Sequence, residues 1–474
     1  MKHVYFVSFG CQMNVLDSEL VLGDFKRSGY KETDEMKHAD VVLINTCSIR
    51  EHAEDKVWSL LGRARQVKEA KPHLKIGVMG CMAQRVKDEI VRRAPHVDLV
   101  LGTSNFRSAV QDLADIDAGG RVVRTAKRPD PEFLPDADRN VEARPDAFRA
   151  YVTVMRGCNH NCTYCIVPHT RGKEVSRPLD ELLAECQALV DDGVREITFL
   201  GQNINTYGQD LHPKREHTGE ICTLLERAAA IEGLDRIRFL TSNPFDMTED
   251  MMRRFGQIPK VMPWLHIPAQ SGSDTVLKRM QRTYTVEQYR EVVGWARKHI
   301  PGVEITSDFI VGFSGETEED FEATKALVRE IGFMQSYVFK YSLRPMTISA
   351  RRMPDDVPED VKKRRNVELL AAQDETAARR NAELIGKRVE ILIEGISKSD
   401  PTRVTGRDMS NRLVHCEGTA DMAGRMAVVE IEEVGAHSLI GRRVALEDEV
   451  TPCGTNRWTY RTYGPRIPST TALA

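Results

Sequence analysis

Three cysteines far apart in the chain share one local setting. Cys11 follows the apolar run His3–Phe9, Cys47 follows Val41–Asn45, and Cys81 follows Lys75–Met79. Helical patterns such as Ala53–Lys71 and Arg85–Arg93 separate these runs, and a further run stands at Leu99–Leu101. Short apolar strands alternating with amphipathic helices predict a parallel, doubly wound sheet. In such a sheet the carboxyl ends of the strands lie along one edge, where ligands bind. Three thiols are therefore expected to converge there. The competing reading is small buried residues at crowded strand ends.

A second alternating series begins at Ala150. Strands are expected at Ala150–Met155, Glu196–Leu200, Arg236–Phe239, Pro263–His266, Glu304–Ile310 and Ser336–Tyr341, with helices such as Leu179–Asp192, Val286–Lys298 and Glu318–Glu330 between them. Six repeats suit a partly closed β/α barrel, since the full form has eight. Between the two series lies a stretch rich in Asp, Arg and Pro. A charged helix, Pro358–Leu384, reads as a solvated connector. Beyond it, short β-rich runs broken by Gly, Asp and Ser predict a small all-β barrel. The expected boundaries are 1–118 for the first domain, 119–149 for a linker, 150–383 for the barrel and connecting helix, 384–448 for the small β barrel, and 449–474 for a tail. The fold class is thus α/β with a C-terminal all-β domain.

The chain has 474 residues and ten cysteines. The opening VYFVSF is too short for a signal-peptide core, and no apolar run is long enough to span a membrane. A cytoplasmic location is expected, where thiolate chemistry or burial accounts for cysteines better than disulfides do. A formal charge of -3 neither requires nor forbids nucleic acid, because a basic groove can hide within a neutral total.

Directly after the first strand of the second series, VMRGCNHNCTYCIVP holds Cys158, Cys162 and Cys165 in C-x3-C-x2-C spacing. Such close spacing on a loop lets three thiolates face one point, and cysteine thiolates hold iron–sulfur clusters, usually four to a cubane. Three ligands leave one iron open to a substrate. A zinc site completed by His160 or His169 is the alternative. The spacing and its place resemble the radical-SAM superfamily. That resemblance implies S-adenosylmethionine on the open iron and its one-electron cleavage to methionine and a 5′-deoxyadenosyl radical. Expected cofactor contacts are Tyr164, Gly201, Gln202, Asn203, Gln270, Ser271, Ser307 and Asp308, since barrel sites gather at strand carboxyl ends. Polar caps of the strands are the bland reading of those loops.

The phrases GCQMNVLDSE, NTCSIREHAEDKVW, GCMAQR, RGCNHNCTYCIVPHTRGKEVSRP, LGQNINTYG, HIPAQSGSD and SDFIVGFSGETEEDF run in order along the chain. Together they resemble the methylthiotransferases, over residues 3–448, including a C-terminal segment similar to a TRAM domain. The resemblance implies two [4Fe–4S] clusters: an auxiliary one on Cys11, Cys47 and Cys81, and the radical-SAM one on Cys158, Cys162 and Cys165. It also implies S-adenosylmethionine as both methyl donor and radical source, with the auxiliary cluster as the route of sulfur. GCQMN and NTCSIRE favour the branch acting on carbon 2 of isopentenylated adenosine beside the anticodon of tRNA. Sister branches act on threonylcarbamoyl-adenosine or on a ribosomal-protein aspartate. A non-catalytic iron–sulfur protein that binds RNA is the alternative from another class.

That C–H bond is not acidic enough for a side-chain base, so no acid–base pair is assigned. An electron donor of flavodoxin or ferredoxin type is expected; the sulfur donor is not readable. Three positions depart from the family pattern: Ala269, Ser314 and Met346, the last standing where the family has a turn glycine. Lys398, Arg403, Arg407 and Arg412 are the expected RNA contacts. Cys186 and Cys416 read as core residues, and Cys222 and Cys453 have no companion at ligand spacing.

Overall fold

The computed structural model describes residues 1–48, 51–117, 120–126, 143–144, 147–212 and 219–447. More than half of the expected linker lies outside these, as do the tail and Cys453. The described residues divide into two compact units. One takes in Met1–Gly233, Phe239–Thr241 and Ser342–Met353; the other holds Leu234–Arg238, Ser242–Tyr341 and the chain from Pro354 onward.

The first unit opens with a six-stranded sheet in the order Lys31–Glu32, His3–Ser8, Val41–Thr46, Lys75–Gly80, Leu99–Leu101, Val122–Arg124. All five pairings are parallel. Alternation along the strands builds two apolar layers. Val4, Val41, Leu43, Met79 and Leu99 pack into one layer with the helix Gln12–Arg27, through Leu16, Leu20 and Phe25. Val42, Ile44, Ile76 and Val78 pack into the other with Val57, Leu60 and Leu61 of the helix Glu51–Ala70. The doubly wound reading holds. The two edge strands, Lys31–Glu32 and Val122–Arg124, were not expected, because each is two or three residues long and exposed.

All six strands of the second series are present. Arg149–Thr153 and Glu196–Leu200 pair in parallel within one three-stranded sheet. Trp264–His266, Glu304–Val311 and Gln335–Lys340 form another, also parallel. The strands Arg388–Ile396, Arg403–Asp408, Leu413–Glu417, Met426–Val434 and Ser438–Leu446 close into a barrel around Ile391, Ile393, Val404, Val414 and Val429. Cys416 is in that core, and Cys186 and Cys222 are likewise buried in helices.

The connecting helix Glu359–Ala382 corrects one expectation: it is not a merely solvated connector. Leu369, Ala372, Gln373 and Ala377 are buried, Gln373 donates to the Phe333 carbonyl at 2.9 Å, and Arg365 pairs with the buried Glu316 at 2.7 Å. Its polar sequence conceals a packed face, on which Arg365 and Gln373 each find a partner although Arg365 Nε and Gln373 Oε1 are left without one.

Candidate functional site: two sets of cysteines

Register brings the N-terminal set together. Ser8 lies opposite Asn45 and Thr46 opposite Gly80, so the three strands end side by side. Cys11 precedes the helix Gln12–Arg27, Cys47 follows Val41–Thr46, and Cys81 opens the helix Cys81–Arg93. Two of the thiols thus sit at helix N-termini, where the backbone dipole favours anionic sulfur.

Gly10 makes the crowding possible. Its φ is +139°, and a Cβ there would come within 2.7 Å of Asn14 and 3.0 Å of the Cys47 Cβ. Beneath the sulfurs lies a buried polar lock. Asn14 Nδ2 donates to Asn45 Oδ1 at 3.1 Å and to the Thr46 carbonyl at 3.0 Å. Asn45 Nδ2 donates back to the Asn14 carbonyl at 2.8 Å and to Ser18 Oγ at 2.9 Å. Cys11 Sγ donates to Asn14 Oδ1 at 3.4 Å. From the other side Arg85 pairs with Glu54 at 2.6 Å and reaches Ser48 Oγ, beside Cys47, at 3.3 Å. Burial pushes the Cys81 thiol up, Cys11 and Asp17 add to the push, and Arg171 opposes it. Cys81 and Cys11 are therefore within each other's field.

A short antiparallel hairpin, Met155–Arg156 with Val175–Ser176, frames the second set. Gly157, at φ +78°, opens the loop; a side chain there would run into the Lys173 carbonyl. The Gly157 N–H donates to Gln202 Oε1, and the Cys158 N–H to the Gly172 carbonyl at 3.1 Å. The Cys165 N–H donates to the Cys162 carbonyl at 3.0 Å. Asn159 and Glu174 clamp the loop across its mouth with three hydrogen bonds of 3.2 Å. All three cysteines are partly exposed. Burial pushes Cys158 up to about 12, with Cys165, Glu174 and Cys162 adding to it, so these sulfurs also share one field.

Among the described residues, no three His, Cys, Asp or Glu side chains gather closely enough for one metal ion. A cubane does not require that, because each of its cysteines meets a different iron. His160 is engaged with Asn203, at 3.0 Å. Thiolates serve zinc and iron alike, but sulfurs spread too far for one ion suit the separate irons of a cluster.

Several expected cofactor contacts serve the protein instead. Gln202 and Asn203 brace the cysteine loop, and Gly201 is buried against Met155. Ser307 is fully buried, accepting from the Ala269 N–H and donating to the Ile267 carbonyl. Ser271 is 1% exposed, with its hydroxyl 3.3 Å from Thr324 Oγ1. Asn203, Ser271 and Ser307 are buried, as is Gln270. Tyr164, Gln202 and Asp308 keep exposed surface, and Gln270 sits at φ +68° at the end of its strand-like run. Met346, in place of the family's glycine, adopts φ +81° and accepts that strain, while Ser349 just beyond donates to the Thr163 carbonyl of the cysteine loop. Ala269 and Ser314 are buried.

Of the expected RNA contacts, Lys398 is exposed. Arg403 and Arg407 are half-exposed and pair with Asp400 and Glu394, at 3.2 and 3.1 Å. Arg412 is a correction: it is buried, with Nη2 2.7 Å from Glu304 and Nε bonded to Asn381 at 2.9 Å. Its position in a basic run suggested phosphate contact, yet burial commits it to a structural ion pair. Asn14, Asn45, Asp17, Arg85 and Arg171 escaped the sequence reading. Their only signal was proximity to cysteine motifs.

The family model of the Radical SAM superfamily matches residues 152–328, that of uncharacterized protein family UPF0004 matches 3–102, and that of the TRAM domain matches 382–444. A tRNA-2-methylthio-N(6)-dimethylallyladenosine synthase of Rhodopirellula baltica is 42% identical, over 94% of this chain and 96% of its own. Enzymes of the same name from Burkholderia cenocepacia and Mannheimia succiniciproducens are 42% and 41% identical, each over 95% of this chain, and 99% and 94% of their own. Among solved structures, the radical S-adenosylmethionine methyltransferase TsrM of Kitasatospora setae shares the fold, with a TM-score of 0.53 at 13% identity over 74% of this chain and 77% of its own. With such identity along nearly its whole length, and three matching domain models in order, the chain belongs to the radical-SAM family of tRNA-2-methylthio-N(6)-dimethylallyladenosine synthases.

Proposed function

We propose that this chain methylthiolates carbon 2 of isopentenylated adenosine beside the anticodon of tRNA. The observation that carries the reading is the pair of three-cysteine sets, each gathered at the end of strands and each one short of closing a cubane. Cys158, Cys162 and Cys165 would hold one [4Fe–4S] cluster, which with S-adenosylmethionine supplies one-electron cleavage and so removes a hydrogen that no side-chain base reaches. Cys11, Cys47 and Cys81 would hold a second cluster, whose chemistry is the supply of sulfur.

The protein's own contribution is placement. Gln202, Asn203 and the Asn159–Glu174 clamp hold the outer loop in one geometry, and the Asn14–Asn45 lock does the same for the inner set. Tyr164, Gln202 and Asp308, which keep exposed surface, are the first candidates for S-adenosylmethionine, with the buried Gly201, Asn203, Gln270, Ser271 and Ser307 after them. Lys398, Arg403 and Arg407 on the C-terminal barrel are the candidates for RNA phosphate. The proposed domain limits are 1–118, 150–383 and 384–448, with 119–149 and 449–474 between and after them, save that the strand Val122–Arg124 belongs to the sheet of the first domain. A flavodoxin-like or ferredoxin-like protein is the proposed electron donor. No helix among the described residues is long and apolar enough to cross a membrane, and a cytoplasmic setting with its tRNA is proposed.

A nucleoside digest of tRNA from cells lacking this gene tests the substrate. Loss of 2-methylthio-dimethylallyladenosine, with dimethylallyladenosine accumulating, is expected; persistence of the methylthio form overturns the assignment. Oxygen-free purified protein is expected to carry about eight iron and eight sulfide per chain.

A further inference from the structure

Arg171 follows the short helix Val167–Thr170 and is therefore carried by the same loop as Cys158, Cys162 and Cys165. Its side chain, 5% exposed, reaches instead toward the N-terminal set. Nη2 donates to Asp17 Oδ2 at 2.9 Å; Asp17 is 2% exposed and stands on the helix that Cys11 precedes. Arg156 approaches the same carboxylate, 3.7 Å from Oδ1. The short helix that Arg171 follows packs against the helix Cys81–Arg93, which opens on Cys81, and besides Asp17 the charges that couple to Arg171 are those of Cys81 and Cys11. Nη1 is sealed from solvent with no hydrogen-bond acceptor.

A guanidinium cannot shed its charge in a protein, and a buried donor without an acceptor is costly. An arginine held in that state beside two thiols is built for anionic sulfur. Hydrogen bonds to sulfur also tune the potential of an iron–sulfur centre. We propose that Arg171, oriented by Asp17, is a positioning residue of the N-terminal cluster: it donates through Nη1 to sulfur on the Cys11–Cys81 side, offsets its negative charge and raises its reduction potential. The same side chain ties the outer cysteine loop to the inner set. This inference rests on the reading of Cys11, Cys47 and Cys81 as cluster ligands.

The test uses the full chain with Cys158, Cys162 and Cys165 all replaced by Ala, so that only the N-terminal cluster can be present. In that background Arg171→Gln and Arg171→Lys are compared by iron content and by redox titration followed by electron paramagnetic resonance. The parent is expected to hold about four iron per chain. The Lys variant is expected to keep them near the parental midpoint, and the Gln variant either to titrate at a more negative potential or to lose iron. A Gln variant with parental iron, midpoint and spectrum overturns the proposal and leaves Arg171 a plain tie between loops. Equal loss of iron in both variants also overturns it, since shape rather than charge would then matter. A parent without iron overturns the cluster reading itself, a distinguishable result.

Discussion

The two cysteine sets each bring three thiols together, by opposite routes. Cys158, Cys162 and Cys165 belong to one loop, closed by a hairpin and by hydrogen bonds among near neighbours, and all three retain exposure. Cys11, Cys47 and Cys81 come from three strands, and two of them are buried. The first set is local and open. The second exists only when a parallel sheet is in register above an asparagine lock. A local loop costs little chain entropy to close, whereas distant residues are gathered only by the whole fold.

The largest effects separate the sets by chemistry. Cys158→Ala is expected to bring 5′-deoxyadenosine formation down to the level of an enzyme-free control. Cys47→Ala is expected to leave that cleavage measurable while abolishing methylthio product. Chromatography of both products from one reaction decides it, and equal loss of cleavage in the two variants would break the division of labour.

A smaller effect compares their supports. Asn14→Ala removes the core of a buried network and strands Asn45, so a loss of roughly 2–4 kcal/mol is expected in urea unfolding of the unloaded protein. Asn159→Ala, at the part-exposed clamp, is expected to cost about 1 kcal/mol. Near-equal losses would show that the inner set depends on the fold no more than the outer one does.

The subtlest prediction concerns pH. Burial lifts Cys158 from 9.0 up to about 12, so the folded, unloaded chain keeps a proton that the unfolded chain releases. That contribution to stability is whole below pH 9 and is lost as pH rises toward about 12. Cys158→Ser is expected to flatten the decline in that window, read from unfolding midpoints at a series of pH values. Cys81 is shifted in the same direction, so Cys81→Ser is expected to remove a share of its own. An unchanged slope in both variants would count against the burial of either thiol.

Both sets were legible in the sequence, for different reasons. The outer one is a spacing motif, readable with no knowledge of the fold. The inner one became visible through periodicity: three apolar runs, each ending in cysteine, could only be parallel strands. Their supports were much less legible. Asn14 and Asn45 look like ordinary turn or cap residues until the register places them side by side. Arg412 misled because a basic run on a β barrel looks like an RNA face, whereas Glu304, far away in sequence, claims it. The burial of Ser271 and Ser307 was not legible either, because strand-end polar residues suit a ligand and a partner within the protein equally well.

By itself the sequence determined the α/β framework, the β barrel at its end, and the two groups of thiols, because these follow from hydrophobic period and ligand spacing. Tertiary structure alone decided which polar side chains stay exposed and which are spent inside the protein. Burial, charge pairing and register are settled between residues distant in the chain, where local pattern carries no information. Arg171 shows this most clearly: its neighbours in sequence belong to one cysteine set and its neighbours in space to the other.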